Sequence, residues 1–295
     1  MKIKKCHVVA DLHSLEDILN NVFDDYGDFD IQLNAAIDRY LVEDNENNPR
    51  NDDDWHVSTL IHYSCPRCEV INKLLPQEER KGVSFPGGTL RKFNIGKILH
   101  THWQNYNLKN LNVLWGTWRC IHCGKSNVGF SPEQCCGLTR EYKEAHLSIP
   151  MDTMRITGSV DAILKEQDEY TINDLKTCDP FVFSKLKEAD ASYVNQVILY
   201  MYMFNNGELK DRPCQEINKA RIIYINKSTD YTKSYLVNYD EKKAVELIKP
   251  FYEFTQNVKN KELPPRTCSN FTCKEAAYCR YKRICFENEN WNRPS

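Results

Sequence analysis

The sequence predicts an α/β protein in which helices flank a mixed central sheet. Three patterns carry that expectation. Residues 156–164 and 169–177 have strand character and are joined by the polar turn Lys165-Glu166-Gln167-Asp168, helical periodicity occurs on both sides of them, and cysteines gather in two dense groups. At 295 residues the chain is long enough for one sizeable core with an inserted module.

The elements follow in order. Residues 14–26 open on Ser14 as an N-cap with Asp17 in the first turn, and Leu15, Ile18, Leu19, Val22 and Phe23 recur at helical spacing. A second apolar series, Ile31, Leu33, Ala36, Ile37, Tyr40 and Leu41, precedes an acidic stretch over 43–54 that lacks aliphatic residues and reads as a solvated linker. Residues 1–55 are therefore expected to form an N-terminal helical segment and acidic linker, ahead of a main domain over 56–286 and a tail over 287–295. Ile98, Leu99, His102, Trp103 and Tyr106 repeat at three and four, which predicts a helix over 95–108 carrying His100. Between 113 and 147 the pattern breaks into Gly, Cys and aromatic residues, as in a small metal-stabilised insertion. A helix is expected near 190–205, strands near 220–226 and 233–239, and a helix from Asp240 to about Asn260.

Composition excludes some functions. Hydrophobic residues make up 41% and charged residues 27%, and no stretch approaches the roughly 18 uninterrupted apolar residues of a membrane helix. Met1-Lys2-Ile3-Lys4-Lys5 leads into Cys6, His7 and Asp11 rather than an apolar signal core, so a cytoplasmic location without membrane association is expected. A net charge of -2 argues against indiscriminate coating of nucleic acid, yet leaves room for one basic groove. Thirteen cysteines in a reducing compartment point to metal or iron-sulfur ligation rather than disulfides. Cys6, Cys178 and Cys214 stand alone and read as small buried side chains.

The chemistry concentrates in Gly158-Ser159-Val160-Asp161 and Thr171-Ile172-Asn173-Asp174-Leu175-Lys176-Thr177. Side chains alternate across a strand, so Asp174 and Lys176 share one face, and a hairpin can bring Asp161 beside them. Carboxylates can hold Mg²⁺ or Mn²⁺, and a lysine can orient water or stabilise developing negative charge. An isolated Asp-x-Lys is an exposed same-face pair worth little. Here it has company: Gln196 and Tyr200 lie four apart on one helical face, and His100 sits on the upstream helix.

In this order the motifs resemble the PD-(D/E)XK nuclease superfamily, specifically its RecB-like branch, which includes CRISPR-associated adaptation nucleases and AddB-type iron-sulfur nuclease domains. The resemblance covers about Val57 to Phe286 through Cys65-Pro66-Arg67, Gly96-x-x-x-His100, Gly158-x-x-Asp161, Asp174-x-Lys176, Gln196-x-x-x-Tyr200 and a terminal cysteine group. It implies a restriction-endonuclease-like fold with a zinc-ribbon-like insertion over 113–147 and a cysteine-rich clasp over 264–286. It also implies that His100, Asp161, Asp174 and the Leu175 carbonyl ligate a catalytic Mg²⁺ or Mn²⁺. Lys176 would position or activate water, while Gln196 and Tyr200 would shape the site and contact DNA. Asp174 stands where many relatives have glutamate, a shorter arm of equal charge.

Two cysteine groups remain. Cys120-x-x-Cys123-Gly124 has the form of a zinc knuckle, with Cys135 and Cys136 as further ligands and Cys68, His122 or His146 as candidates to complete the shell. Zinc can supply on the order of 10 kcal/mol of folding free energy to such a module. Trp115, Trp118, Arg119 and Lys125 beside it are candidate DNA contacts. At the other group, Cys268, Cys273, Cys279 and Cys285 follow Pro264-Pro265. In iron-sulfur members of the branch, one cysteine before Pro-Arg joins three near the end around a [4Fe-4S] cluster, which implies Cys65, Cys273, Cys279 and Cys285, with Cys268 as a substitute for Cys273. A zinc site made of the four terminal cysteines is the alternative.

The expected function is thus metal-dependent cleavage of DNA, as an exonuclease acting on ends or single strands in recombination, repair or replication. A non-catalytic DNA-binding or assembly module and a structure-specific endonuclease are the alternatives. No Gly-x-x-x-x-Gly-Lys-Ser/Thr motif is present, so unwinding would need a helicase partner; single-strand-binding or recombination proteins are further expected partners. Size and inserted ribbon resemble phage-encoded relatives, which would place the protein in the host cytoplasm.

Overall fold

Strand β8 (Glu169–Cys178) organises the core, because Thr171 to Leu175 within it are all buried. A strand covered on both faces needs apolar partners above and below. Ile172 belongs to the principal core, whereas Leu175 packs with Ile223 and Ile225 beneath Trp103 on the opposite face. The computed structural model describes residues 29–47, 53–61, 65–82, 85–130, 132–133, 135–136, 140–209, 211–273, 276 and 279–287. The chain divides into two compact units, residues 1–50 with 82–95 and residues 51–81 with 96–295.

The first unit contains α1 (Phe29–Asn47) and the start of α4 (Gly87–His102). Within it Arg91 binds the Asp38 carboxylate and the Asn34 side chain. The acidic stretch over 43–54 is not wholly a linker, since α1 continues through Asn47. Glutamate is a good helix former, and an exposed helical face requires no apolar residue. In the second unit, Asp53 pairs with Arg80 at 2.7 Å. The helix expected over 14–26, Cys6 and the tail beyond Glu287 lie outside the described residues.

The second unit is built on a mixed sheet. Its strands are β2 (Leu114–Cys120), β3 (Ser126–Gly129), β4 (Arg140–Lys143), β7 (Ala162–Glu166), β8, β9 (Lys219–Asn226) and β10 (Thr232–Asn238). The spatial order is β10-β9-β8-β7-β2-β3, with β4 also on β2. β8 and β9 run parallel, and the other pairs are antiparallel. A smaller sheet orders β1 (Trp55–His56), β6 (Met154–Val160) and β5 (Ala145–Met151). β2 begins against β7 through Leu114 and Trp115 and ends between β3 and β4, so the strand that opens the cysteine module also belongs to the central sheet.

The parallel connection from β8 to β9 needs a crossover, supplied by α5 (Pro180–Lys185) and α6 (Ala191–Asn206). Asp190 caps α6 by accepting a hydrogen bond from the Ser192 backbone N–H at 2.8 Å. Residues 196–201 are buried almost all round, as expected of a helix passing through a core. α7 (Glu241–Asn260) is amphipathic, with Ala244, Ile248, Phe251 and Thr255 facing inward at spacings of four and three. Thr255 accepts a hydrogen bond from the buried Trp55 indole at 2.9 Å, tying this helix to β1. The short α2 (Val57–Ile61) and α3 (Pro66–Leu74) follow β1, and α8 (Lys282–Glu287) closes the described chain. Among the described residues no helix is long and apolar enough to cross a membrane.

Two expectations change in detail. The helix expected over 95–108 ends as α4 at His102 and continues as a π-helical stretch, Trp103–Leu108. The strand expected over 156–164 is two strands, β6 and β7, in different sheets, and Asp161 alone separates them. Its carboxylate accepts the Leu175 backbone N–H at 2.7 Å. That bond uses an amide of the neighbouring strand where the β7–β8 ladder stops, at Ala162 opposite Asn173.

Gly158 has a packing reason of its own. A Cβ there would lie 2.6 Å from Cε1 of Tyr200, so β6 and α6 could not approach as they do. Gly158→Ala is expected to cost about 1–3 kcal/mol, the usual range for overpacking a tight core. A thermal melt checks this: an unchanged midpoint would mean that the Tyr200 ring moves aside freely.

Candidate active site and cysteine centres

The register that ends at Ala162 opposite Asn173 brings Asp161 beside Asp174. Asp174 is buried, and Lys176, two residues on, shares its face and places Nζ 2.8 Å from Asp174 Oδ2. The same ammonium lies 3.3 Å from Gln196 Oε1 and 4.4 Å from the centre of the Tyr193 ring. Gln196 in turn donates from Nε2 to the Tyr200 hydroxyl at 2.8 Å. From α4, His100 Nδ1 approaches Asp161 Oδ1 to 3.7 Å. All six residues expected at the site therefore converge, on β8, α4, α6 and the β6–β7 break. Tyr193, which grips Lys176 by a cation–π contact, was not anticipated, because one tyrosine near the start of a helix carries no sequence signal.

The electrostatics suit a cation site. Burial and the facing charge of Asp174 push the Asp161 carboxyl well above the usual range, so the two carboxylates repel as they stand. Asp174 Oδ2 is buried, with the Lys176 ammonium 2.8 Å from it. Burial alone would lower the Lys176 ammonium, but the charges of Asp174 and Asp161 outweigh it and keep the group protonated. Burial and the Lys176 charge lower the His100 imidazole, leaving a neutral ring with a lone pair to offer. Two crowded carboxylates, a neutral imidazole and the adjacent Leu175 backbone form a donor set that fits Mg²⁺ or Mn²⁺.

Cys120, Cys123, Cys135 and Cys136 form a separate centre, their sulfur atoms all within 4.8 Å of one another. Gly124 makes the knuckle possible with φ +75°, and its N–H donates to the Cys120 carbonyl at 2.9 Å. The Lys125 backbone amide and the Cys135 thiol lower Cys123 to about 6, into thiolate range. Cys135 and Cys136 both bring their sulfur atoms into this group, whereas among the described residues Cys68, His122 and His146 do not join it. This set can hold zinc or an iron-sulfur cluster. Trp115 and Trp118 are buried; Trp118 stacks edge-on against Tyr142 and donates to the Gly129 carbonyl at 3.0 Å. Their rings are core, which removes them as DNA contacts, whereas Arg119 and Lys125 are exposed.

Cys68 lies elsewhere. It is buried beside Ile71, Leu75, Tyr281 and Cys285, with Cys65 and Cys279 against the same cluster. Its thiol bonds to Cys279, and that bond lowers Cys279 to about 6. Cys268 bonds to Cys273 and feels the charges of Cys65 and Cys279. The Ala276 N–H points at Cys273 Sγ from 3.4 Å, and Cys65 contacts the Thr267 hydroxyl at 3.4 Å. The Cys65-x-x-Cys68 spacing could have revealed this membership. Cys178 and Cys214, expected to be buried, are half-buried against the principal core.

Comparison with known proteins adds a family. A profile described as the PD-(D/E)XK nuclease superfamily matches residues 94–286. No curated protein matches the sequence. Among solved structures, SSO0001 is similar with a TM-score of 0.40 and 16% identity, over 86% of this chain and 96% of its own. A Eubacterium rectale protein provisionally named an exonuclease is similar with a TM-score of 0.36 and 13% identity, over 83% of this chain and 91% of its own.

Proposed function

Because the chain belongs to the PD-(D/E)XK nuclease superfamily, we propose that it is a metal-dependent deoxyribonuclease acting as an exonuclease on DNA ends or single strands. The observation that carries the reading is the pair of crowded carboxylates, Asp161 and Asp174, with the Lys176 ammonium 2.8 Å from the second of them. Bound Mg²⁺ or Mn²⁺ would polarise the scissile phosphate and make a bound water more acidic. Asp161, Asp174, His100 and the Leu175 carbonyl would hold it. The Leu175 N–H fixes one Asp161 oxygen and leaves the other turned toward His100. Lys176 is held between Gln196 and Tyr193, where its positive charge would stabilise a phosphate oxygen that gains negative charge. Tyr200 fixes the Gln196 amide and so keeps Lys176 in place.

The cysteine centres serve architecture in this reading. Cys120, Cys123, Cys135 and Cys136 would hold zinc at the end of β2. Cys65, Cys273, Cys279 and Cys285, with Cys268 in reserve, would hold a [4Fe-4S] cluster joining the start and end of the nuclease core. Support comes from the shared packing of Cys65, Cys279 and Cys285 and from the N–H aimed at Cys273.

The test is digestion of end-labelled linear single strands, linear duplex and covalently closed circles in Mn²⁺. Release of short products from linear DNA with circles intact is expected. Nicked or linearised circles would instead assign an endonuclease, and DNA left whole in every form would remove the catalytic reading.

A further inference from the structure

Two single-residue breaks lie at the corner where chain passes between the sheets. β4 ends at Lys143 and β5 begins at Ala145; β6 ends at Val160 and β7 begins at Ala162. The residues between them are Glu144 and Asp161. Ala145 faces Val160 in the small sheet, so the breaks are adjacent. Both transitions thus present a carboxylate at one corner.

A buried amide ties them together. Gln104, 5% exposed, donates from Nε2 to Glu144 Oε1 at 3.1 Å and to the Asp161 carbonyl at 2.8 Å. Gln104 sits in the π-helical stretch Trp103–Leu108, a distortion that often marks functional positions. The next residue, Asn105, accepts the Tyr142 N–H at 2.7 Å and anchors the same stretch to β4. A glutamate free in water gains little from one neutral hydrogen bond and loses side-chain freedom on being held. Glu144 is exposed but held, and its charge reaches Asp161.

We infer that Glu144 is a third carboxylate of the cation site, aimed by Gln104 and reaching the bound divalent ion directly or through one water. The inference rests on the nuclease reading of Asp161 and Asp174. Positioned partners around a metal commonly change affinity about 10–100-fold when removed. The alternative role for Glu144 is a neutral strut between strands, which Glu144→Gln would preserve because its amide oxygen still accepts from Gln104.

Calorimetric titration of Mn²⁺ into the full chain, with its cysteine centres left loaded, separates the possibilities. Glu144→Gln is expected to weaken Mn²⁺ binding about tenfold or more while the melting temperature without Mn²⁺ stays at the wild-type value. Asp174→Asn serves as the reference and is expected to lose binding further. Wild-type affinity in Glu144→Gln, with binding lost in Asp174→Asn, overturns this inference alone. A wild-type protein that takes up no Mn²⁺, or an Asp174→Asn variant that binds normally, overturns the nuclease reading and this inference with it.

Discussion

Lys176→Met is expected to lower Mn²⁺-dependent DNA cleavage about 10²–10³-fold, the usual loss when a charge-stabilising donor is removed. Methionine keeps an unbranched stem that can still lie against the Tyr193 ring, so the change removes charge more than packing. The loss should fall on the chemical step rather than on DNA binding, because the Lys176 side chain is 20% exposed and its ammonium contacts Asp174 and Gln196. Single-turnover rates with excess enzyme isolate that step. Mn²⁺ affinity should persist, since the carboxylates remain and lose a competing cation. A Met variant that cuts at the wild-type rate would sink the assigned role, and one that cuts slowly only because DNA dissociates would move Lys176 to substrate binding.

The second large effect concerns the four-cysteine group of Cys120 and the proposed cluster site of the terminal cysteines, which should fail independently. Cys123→Ser is expected to release about one zinc per chain and loosen the module between Cys120 and Arg140. The thiolate it removes is the one most readily ionised there, and a structural zinc site loses folding free energy with its ligand. The melting transition should fall or split, while any visible absorbance from iron stays. Cys279→Ser is expected to do the reverse, abolishing a broad absorbance in the visible blue and the associated iron while zinc remains. Metal quantification on anaerobically purified protein reads both. Zinc at both centres with no iron would replace the cluster assignment by two zinc sites. Loss of both metals from either variant would mean that the centres do not fold separately.

Much of the candidate site was legible because it lies on regular elements with fixed periods. Asp174 and Lys176 share a strand face, and Gln196 and Tyr200 share a helix face, so spacing alone placed each pair. The convergence of those pairs was legible only through the order of motifs, since pairing between distant strands leaves no local trace. Glu144 was not legible: its signal is the one-residue gap between β4 and β5, which exists only once two sheets are known to meet there. Asp161 was found, but as part of one long strand, because a strand that changes sheets keeps its alternation through the change. The ribbon tryptophans were misjudged for a related reason. An aromatic beside basic residues looks the same in sequence whether it faces DNA or, as Trp118 does, fills a small core. Cys68, one of three candidates for the knuckle, packs instead with Cys65, Cys279 and Cys285, because distance along the chain does not say which cluster an outlying cysteine joins.

The most direct test of the central claim is a side-by-side digestion of end-labelled linear DNA by wild-type protein and Asp174→Asn. The variant keeps the size of the side chain and removes one buried negative charge beside Lys176. Cleavage by wild type that requires Mn²⁺ or Mg²⁺ and falls at least about 10³-fold in the variant is the predicted result. Cleavage that survives in Asp174→Asn, or wild-type protein that leaves the DNA intact with either cation, would contradict the assignment of this site.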